Sequence, residues 1–396
     1  MSKPTDDLVR KLEKQRATFL ELFFDVAFVF ALRSLSILLL NELTWTGAFQ
    51  TLVLLLAVGA VWSLTARVTD QLKPERPAVQ LMIITTMLGS VVLAAATGEA
   101  FGRTGLIFAL VYLAIQIGRN LFLLFLLRGH QLRELPRRAL IWQVAVGVLW
   151  VAGAIASNTL RAAMWATAAF LTYLARGFRY PVPKMRRLTA GELPVGGEYL
   201  AERHRQLFII GLGEVIIAIG QAFRRSGFAF GHTAALVVLF TLTALFWRLY
   251  IFRAGEQLAP AIERSANPDR FGLLASYVHL VMIGGLVVTS VGAELVLDHP
   301  FSHPKASSTL TIVGGPVLFL AGRTVLEYAV FRRLSRSRLL GLLALACLTP
   351  PMLFVPPLPI AIVATTILAG VVVHDTTEER KHHQPELPIA PDSRRT

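Results

Sequence analysis

Residues 20–35 read LELFFDVAFVFALRSL, and Glu21, Asp25 and Arg33 stand there among side chains suited to hydrocarbon. Glu214 lies in a similar setting in ERHRQLFIIGLGEVII (202–217). Arg119 and Arg323 do so in GRNLFLLFLLR (118–128) and GRTVLEYAVFR (322–332). A charge at mid-bilayer costs at least about 2.5–3.5 kcal/mol and therefore faces a partner or water. Buried acids and arginines in such positions can do two kinds of work. They take up and release protons or cations along a path, or they fix helix packing as ion pairs. The residue types leave both open for Asp25, Arg119, Glu214 and Arg323.

Depth suggests how they pair. At 1.5 Å per residue, Asp25 lies about 10 Å into its run and Arg119 about 12 Å from the end of an oppositely directed one. The same holds for Glu214 and Arg323. The expectation is two pairs, Asp25–Arg119 and Glu214–Arg323. Glu21 is four residues before Asp25 and shares its helix face. Arg33 sits further along, within reach of Glu99. Glu99 and Glu294 close the outer ends of two apolar runs, where simple interfacial placement suffices. His279 suits an interhelical hydrogen bond or a ligand role. Glu327 follows Arg323 by four, the spacing of an intrahelical pair.

These groups must be held by helices. Of 396 residues, 54% are hydrophobic and 16% charged, against roughly 25% charged in a soluble domain. Apolar runs near 20 residues match a hydrocarbon core about 30 Å thick. A β-barrel, with alternating segments of about 10 residues, is excluded. The expected fold is all-α, a polytopic helical membrane protein of about twelve spans. We place them at 18–40, 47–66, 78–99, 104–127, 139–157, 160–175, 206–222, 232–252, 273–297, 308–330, 339–355 and 357–374. The N-terminus lacks the form of a cleavable signal peptide. One cysteine, Cys347, leaves no disulfide framework.

The net charge of +14 is a matter of placement. Thirty of the 39 Lys and Arg fall in the N-terminal segment, the even-numbered loops and the tail; 4 fall in odd-numbered loops and 5 within spans. The positive-inside rule then puts both termini in the cytoplasm, in a bacterial inner membrane. Attraction to anionic lipid follows, and nucleic acid is not needed as a partner.

The chain also repeats itself. EKQRATFLELFFDVAF (13–28) matches ERHRQLFIIGLGEVII (202–217), setting Asp25 on Glu214. MLGSVVLAAATGE (87–99) matches MIGGLVVTSVGAE (282–294), and the two Gly-Arg segments match each other. Trp62 in the second span corresponds to Trp247 in the eighth. The matches predict two parallel six-helix repeats. The division is an N-terminal segment 1–17, a first repeat 18–175, a linker 176–205, a second repeat 206–374 and a tail 375–396.

LELFFDVAFVFAL, YLAERHRQLFIIGLGEVIIAIG and SYVHLVMIGGLVVTSVGAELVLDHP together resemble the bacterial low temperature requirement A (LtrA) family over about residues 15–375. Two positions depart from the family's habit. Ala27 follows Val26 where Leu-Val commonly follows the Asp, and Arg33 stands where small or polar residues are frequent. The resemblance implies a membrane protein associated with growth in the cold and names no substrate. A looser likeness, in architecture alone, is to potassium channels of six-span units. Arg16 precedes Phe23-Phe24-Asp25 here, without those channels' Phe-Ser-Asp triplet.

Three functions compete. Duplicated acids at matched depth suit a secondary transporter or channel for an ion or small solute, with proton coupling. A membrane factor in lipid or cold adaptation needs no such path. A lipid-modifying enzyme has least support, since HExxH, GxSxG and Cys/His ligand sets are all missing. The expectation includes no cofactor, no metal and no catalytic residue. The KHHQ cluster at 381–384 reads as solvated chain. A homo-oligomer is left open.

Overall fold

A computed structural model describes residues 17–189, 195–251, 256–303 and 305–382. The polar segment before residue 17 and the tail beyond 382 lie outside the described residues, as do Glu13 and Arg16 of the repeat. Among the described residues there are thirteen α-helices and no strand: α1 Phe19–Asn41, α2 Trp45–Gln71, α3 Pro77–Thr97, α4 Gly105–Leu126, α5 Glu134–Ile155, α6 Asn158–Gly177, α7 Gly197–Ser226, α8 Phe230–Tyr250, α9 Glu256–Glu263, α10 Pro268–Asp298, α11 Ala306–Phe331, α12 Arg336–Met352 and α13 Pro357–His382.

Ten of these helices are long and apolar enough to cross a membrane. The other two expected spans fall short of that standard. Helix α6 carries Arg161 and Arg176 among its apolar residues. Helix α12 has 17 residues and ends on Pro350 and Pro351, about 26 Å of helix. Large apolar side chains are exposed along many helices, among them Phe30, Leu88, Phe125, Val144, Phe170 and Phe240. Water would not tolerate so much apolar surface, whereas lipid covers it without penalty. The chain is an integral membrane protein.

Helix starts follow local chemistry. The Glu21 carboxylate accepts the Thr18 backbone N–H (2.7 Å) and hydroxyl (2.9 Å) at the head of α1. The Thr44 hydroxyl accepts the Gly47 N–H (3.0 Å) on α2. Pro77 and Pro268 sit at first-turn positions, where their missing N–H is no loss. The largest departure from the expected spans is α7, which begins at Gly197 rather than at 206. The polar stretch YLAERHR, read above as linker, is its first two turns.

Helices α1, α7 and α10 meet near the centre. Helix α1 packs on α2, α3, α7 and α10, while α10 also packs on α11 and α8. The α10–α11 crossing is close because it is built on small residues. A Cβ on Gly285 would lie 2.6 Å from the Phe319 backbone nitrogen, and one on Gly315 would lie 2.7 Å from that of Thr289. In the stretch IIGLGEVIIAIG only Gly211 serves such an approach, toward Leu286 of α10; Gly213 and Gly220 face open space. The packing pairs recur along the chain. The contacts α1–α3, α3–α4, α4–α5, α5–α6 and α2–α6 have counterparts in α7–α10, α10–α11, α11–α12, α12–α13 and α8–α13.

Candidate functional site

The α1–α7 contact carries two polar clusters, one near the start of both helices and one toward their ends. At the first, Asp25 is fully buried and grips Arg203 of α7 through both oxygens, at 2.7 Å each. The Trp62 indole N–H of α2 donates to Asp25 Oδ1 at 2.9 Å. Arg203 further donates to the Glu21 carbonyl (3.2 Å) and to Gln206 (2.9 Å). The Tyr199 hydroxyl, one turn earlier on α7, donates to the Glu21 carboxylate. It also meets the Thr69 hydroxyl at 2.6 Å. Three helices are thereby tied by one two-pronged, charge-assisted contact and its satellites.

The expected Asp25–Arg119 pair is corrected by this geometry. Helix α1 lies against α7, and Arg119 of α4 turns instead to α2. It donates to the Thr65 hydroxyl at 3.2 Å and to its own helix's Gln116. Arg203 escaped the sequence reading because it fell in the assumed linker. Its signal was present: Leu200, Arg203, Leu207 and Gly211 continue the α7 buried stripe upstream at three- and four-residue steps.

A histidine pair extends the first cluster toward α8. The Trp62 ring meets the His204 ring edge-on at 5.6 Å, and His204 lies 4.3 Å from the His279 ring, centroid to centroid. In both histidines Nδ1 lies 2.7 Å from the carbonyl four residues back, Leu200 and Ala275. Assigning the proton to Nδ1 leaves both Nε2 atoms as acceptors. Ser276 Oγ lies 3.1 Å from the first and Tyr250 Oη 3.0 Å from the second. His279 thus makes an interhelical hydrogen bond.

The second cluster reverses the signs. Arg33 of α1 pairs with Glu294 of α10 at 2.5 Å, donates to Gln221 of α7 at 2.9 Å and lies 3.8 Å from Glu214 of α7. The Ser290 hydroxyl donates to the other Glu214 oxygen. Arg225 completes the cluster on Glu294 (2.8 Å) and Asp298 (3.4 Å). Glu214 Oε1 is buried and receives no hydrogen bond. Three expectations change here. Glu214 faces Arg33 and not Arg323. Arg33 is taken by Glu294 and not by Glu99. Glu294 is buried, while Glu99 is exposed and pairs with Arg103 four residues on, at 3.0 Å. The Arg103 hydrogen bond and charge hold the Glu99 carboxyl below its usual range.

The remaining candidates belong to the far helices. Arg323 is buried on α11 and donates to the Leu249 carbonyl at 2.8 Å. Glu327 does not pair back to Arg323. It meets the buried Arg338 of α12, which also holds Asp375 of α13 at 2.9 Å. Asp375 in turn accepts the Ser337 hydroxyl at 2.5 Å.

The chain is similar to known proteins over nearly its whole length. The family model described as bacterial low temperature requirement A protein (LtrA) matches residues 16–373. An uncharacterized protein of Rhizobium meliloti (strain 1021) is 32% identical over 364 residues, covering 91% of this chain and 88% of its own. No solved structure matches the chain. With apolar helices throughout and a family match over nearly its whole length, the chain belongs to the bacterial low temperature requirement A family and is a multi-pass membrane protein.

Proposed function

We propose that this protein is a secondary transporter or channel for an ion or small solute, with protons as the coupling species. The observation that carries the reading is the crossed arrangement on α1 and α7. Asp25 of α1 is held by Arg203 of α7, and Arg33 of α1 faces Glu214 of α7. Protonating either acid removes one attraction between the two helices and biases their relative position, the kind of two-state element that coupling uses. Asp25 is fully served by Arg203 and Trp62 and acts as a fixed counter-ion. Glu214, with one oxygen free of hydrogen bonds and its arginine shared with Glu294, loses least on taking up a proton and is the proton carrier.

The same reading takes the chain as twelve spans in two parallel six-helix repeats. The first repeat is 18–175 and the second 206–374, extended upstream by the start of α7; 176–205, the N-terminal segment and the tail flank them. The recurrent packing pairs support it, as does the burial of Arg119 and Arg323 against α2 and α8 respectively. The charge split sets both termini in the cytoplasm of an inner-membrane protein. Reporter fusions at either terminus should report the cytoplasmic side. A periplasmic signal at one of them rejects the orientation and the even helix count.

In liposomes, purified protein should dissipate an imposed proton or monovalent-cation gradient, and Glu214→Gln should lower that flux by about tenfold or more while unfolding as the wild type does. Wild-type flux no greater than that of empty liposomes rejects transport. The second reading then stands: a non-catalytic membrane factor braced by ion pairs, favoured by how completely Arg203 and Trp62 satisfy the buried Asp25.

A further inference from the structure

Arg119 has no acidic partner among the described residues, and this matters because it is buried. A buried cation without a counter-charge is strongly disfavoured. Its guanidinium borders a cavity of about 50 Å³ between α2, α4, α5 and the chain after α6, also lined by Arg67, Gln71, Asn120 and Tyr180. About 10–15 Å³ suffices for one water, so this space admits a small ion with room to spare. None of the lining residues is acidic.

Two further groups lack partners. The Tyr180 hydroxyl is buried with no hydrogen bond, and so is the Gln71 side-chain nitrogen. Tyr180 is only 3% exposed. The backbone is strained to put it there, since Arg179 and Tyr180 are both left-handed, with φ of 58° and 52°. Burial pushes the Tyr180 phenol up from its usual range, against the pull of Arg176 and Arg119, so the group keeps its proton and has it free to donate. Arg176, bonded to Ser63 at 2.7 Å, adds a further positive charge nearby. The result is a cavity with two unsatisfied groups that can both donate, beside a cation that has no acidic partner among the described residues.

We propose that this cavity binds a small inorganic anion of halide or nitrate size, held by Arg119, Tyr180 Oη and Gln71 Nε2. The anion supplies the counter-charge that Asp25, committed to Arg203, does not. The site is separate from the α1–α7 clusters and independent of any transport through them.

The test is thermal unfolding of the purified full chain in detergent at constant ionic strength, with chloride exchanged for gluconate, which is too large for the cavity. Wild-type protein should unfold at a higher temperature in chloride, with a saturable dependence on its concentration. Tyr180→Phe keeps the ring and removes one donor to the ion; it should raise the half-saturating chloride concentration about tenfold or more. It should not lower the unfolding temperature in gluconate. Arg119→Gln should abolish the chloride dependence. If that variant does not fold, Tyr180→Phe alone decides. Identical unfolding of the wild type in chloride and gluconate overturns the proposal. So does an equal chloride response in wild type and Tyr180→Phe, which marks an adventitious ion only.

Discussion

Asp25→Asn should destabilise the protein by about 3–5 kcal/mol, because it strands Arg203 in a buried interface. Arg203→Gln should cost a similar amount by stranding Asp25. The double variant should recover a large part of the summed loss, since the neutral pair leaves no buried charge and Trp62 can still donate to the oxygen of the introduced amide. Unfolding by denaturant titration in micelles measures the cycle. The informative control pairs Asp25→Asn with Arg119→Gln. These side chains share no partner, so their effects should add to within about 0.5 kcal/mol. Coupling with Arg119 and none with Arg203 would contradict the α1–α7 geometry.

Arg338→Gln is expected to be comparably severe. Arg338 is fully buried and is the shared cation of Glu327 on α11 and Asp375 on α13. Its loss sets two carboxylates against each other across α12, and breaking one buried pair alone typically costs about 3–5 kcal/mol. Asp375→Asn should cost less, because Glu327 then has Arg338 to itself and Ser337 can still donate to the amide oxygen. Adding Asp375→Asn to Arg338→Gln should restore stability in part. The readout is the same denaturant titration, with protease cleavage near the end of α13 as a local probe. A wild-type midpoint for Arg338→Gln would show that α13 is held by apolar contacts alone.

How much of this was legible in the sequence varies with the kind of signal. Long apolar runs fixed the helices well: α3, expected at 78–99, is found at 77–97, and α4, expected at 104–127, at 105–126. The start of α7 was missed because hydropathy cannot tell a solvated linker from a polar helical turn that faces other polar groups. Tyr199, Arg203 and His204 look like loop residues until Glu21, Asp25 and Ser276 stand opposite them. The pairings were beyond reach for another reason. Depth along a helix is one coordinate, and with the seventh span begun at 206 it pointed to Arg119 and set Arg203 outside the hydrocarbon, whereas α7 begins at Gly197. Only the angular position of α7 against α1 decides, and that is set by contacts far apart in the chain. The buried ionisable groups themselves were visible, since hydrocarbon-like runs make every charge conspicuous. Glu99 and Glu294 show the limit: both close an apolar run, and the first is exposed while the second is buried.

The crossed signs on α1 and α7 bear on the order in which the molecule is made. Where the two helices face each other, α1 presents Asp25 then Arg33, and α7 presents Arg203 then Glu214. Neither can satisfy the other after slipping by one turn, so a single register is favoured. Synthesis from the N-terminus delivers α1 well before the segment from Tyr199 to Glu294 exists. Through the emergence of roughly the first half of the chain, Asp25 lacks Arg203, and Arg33 lacks Glu214 and Glu294. The early helices therefore wait as an incomplete bundle, held at the insertion machinery or kept wet, until α7 and α10 arrive and close the charges together.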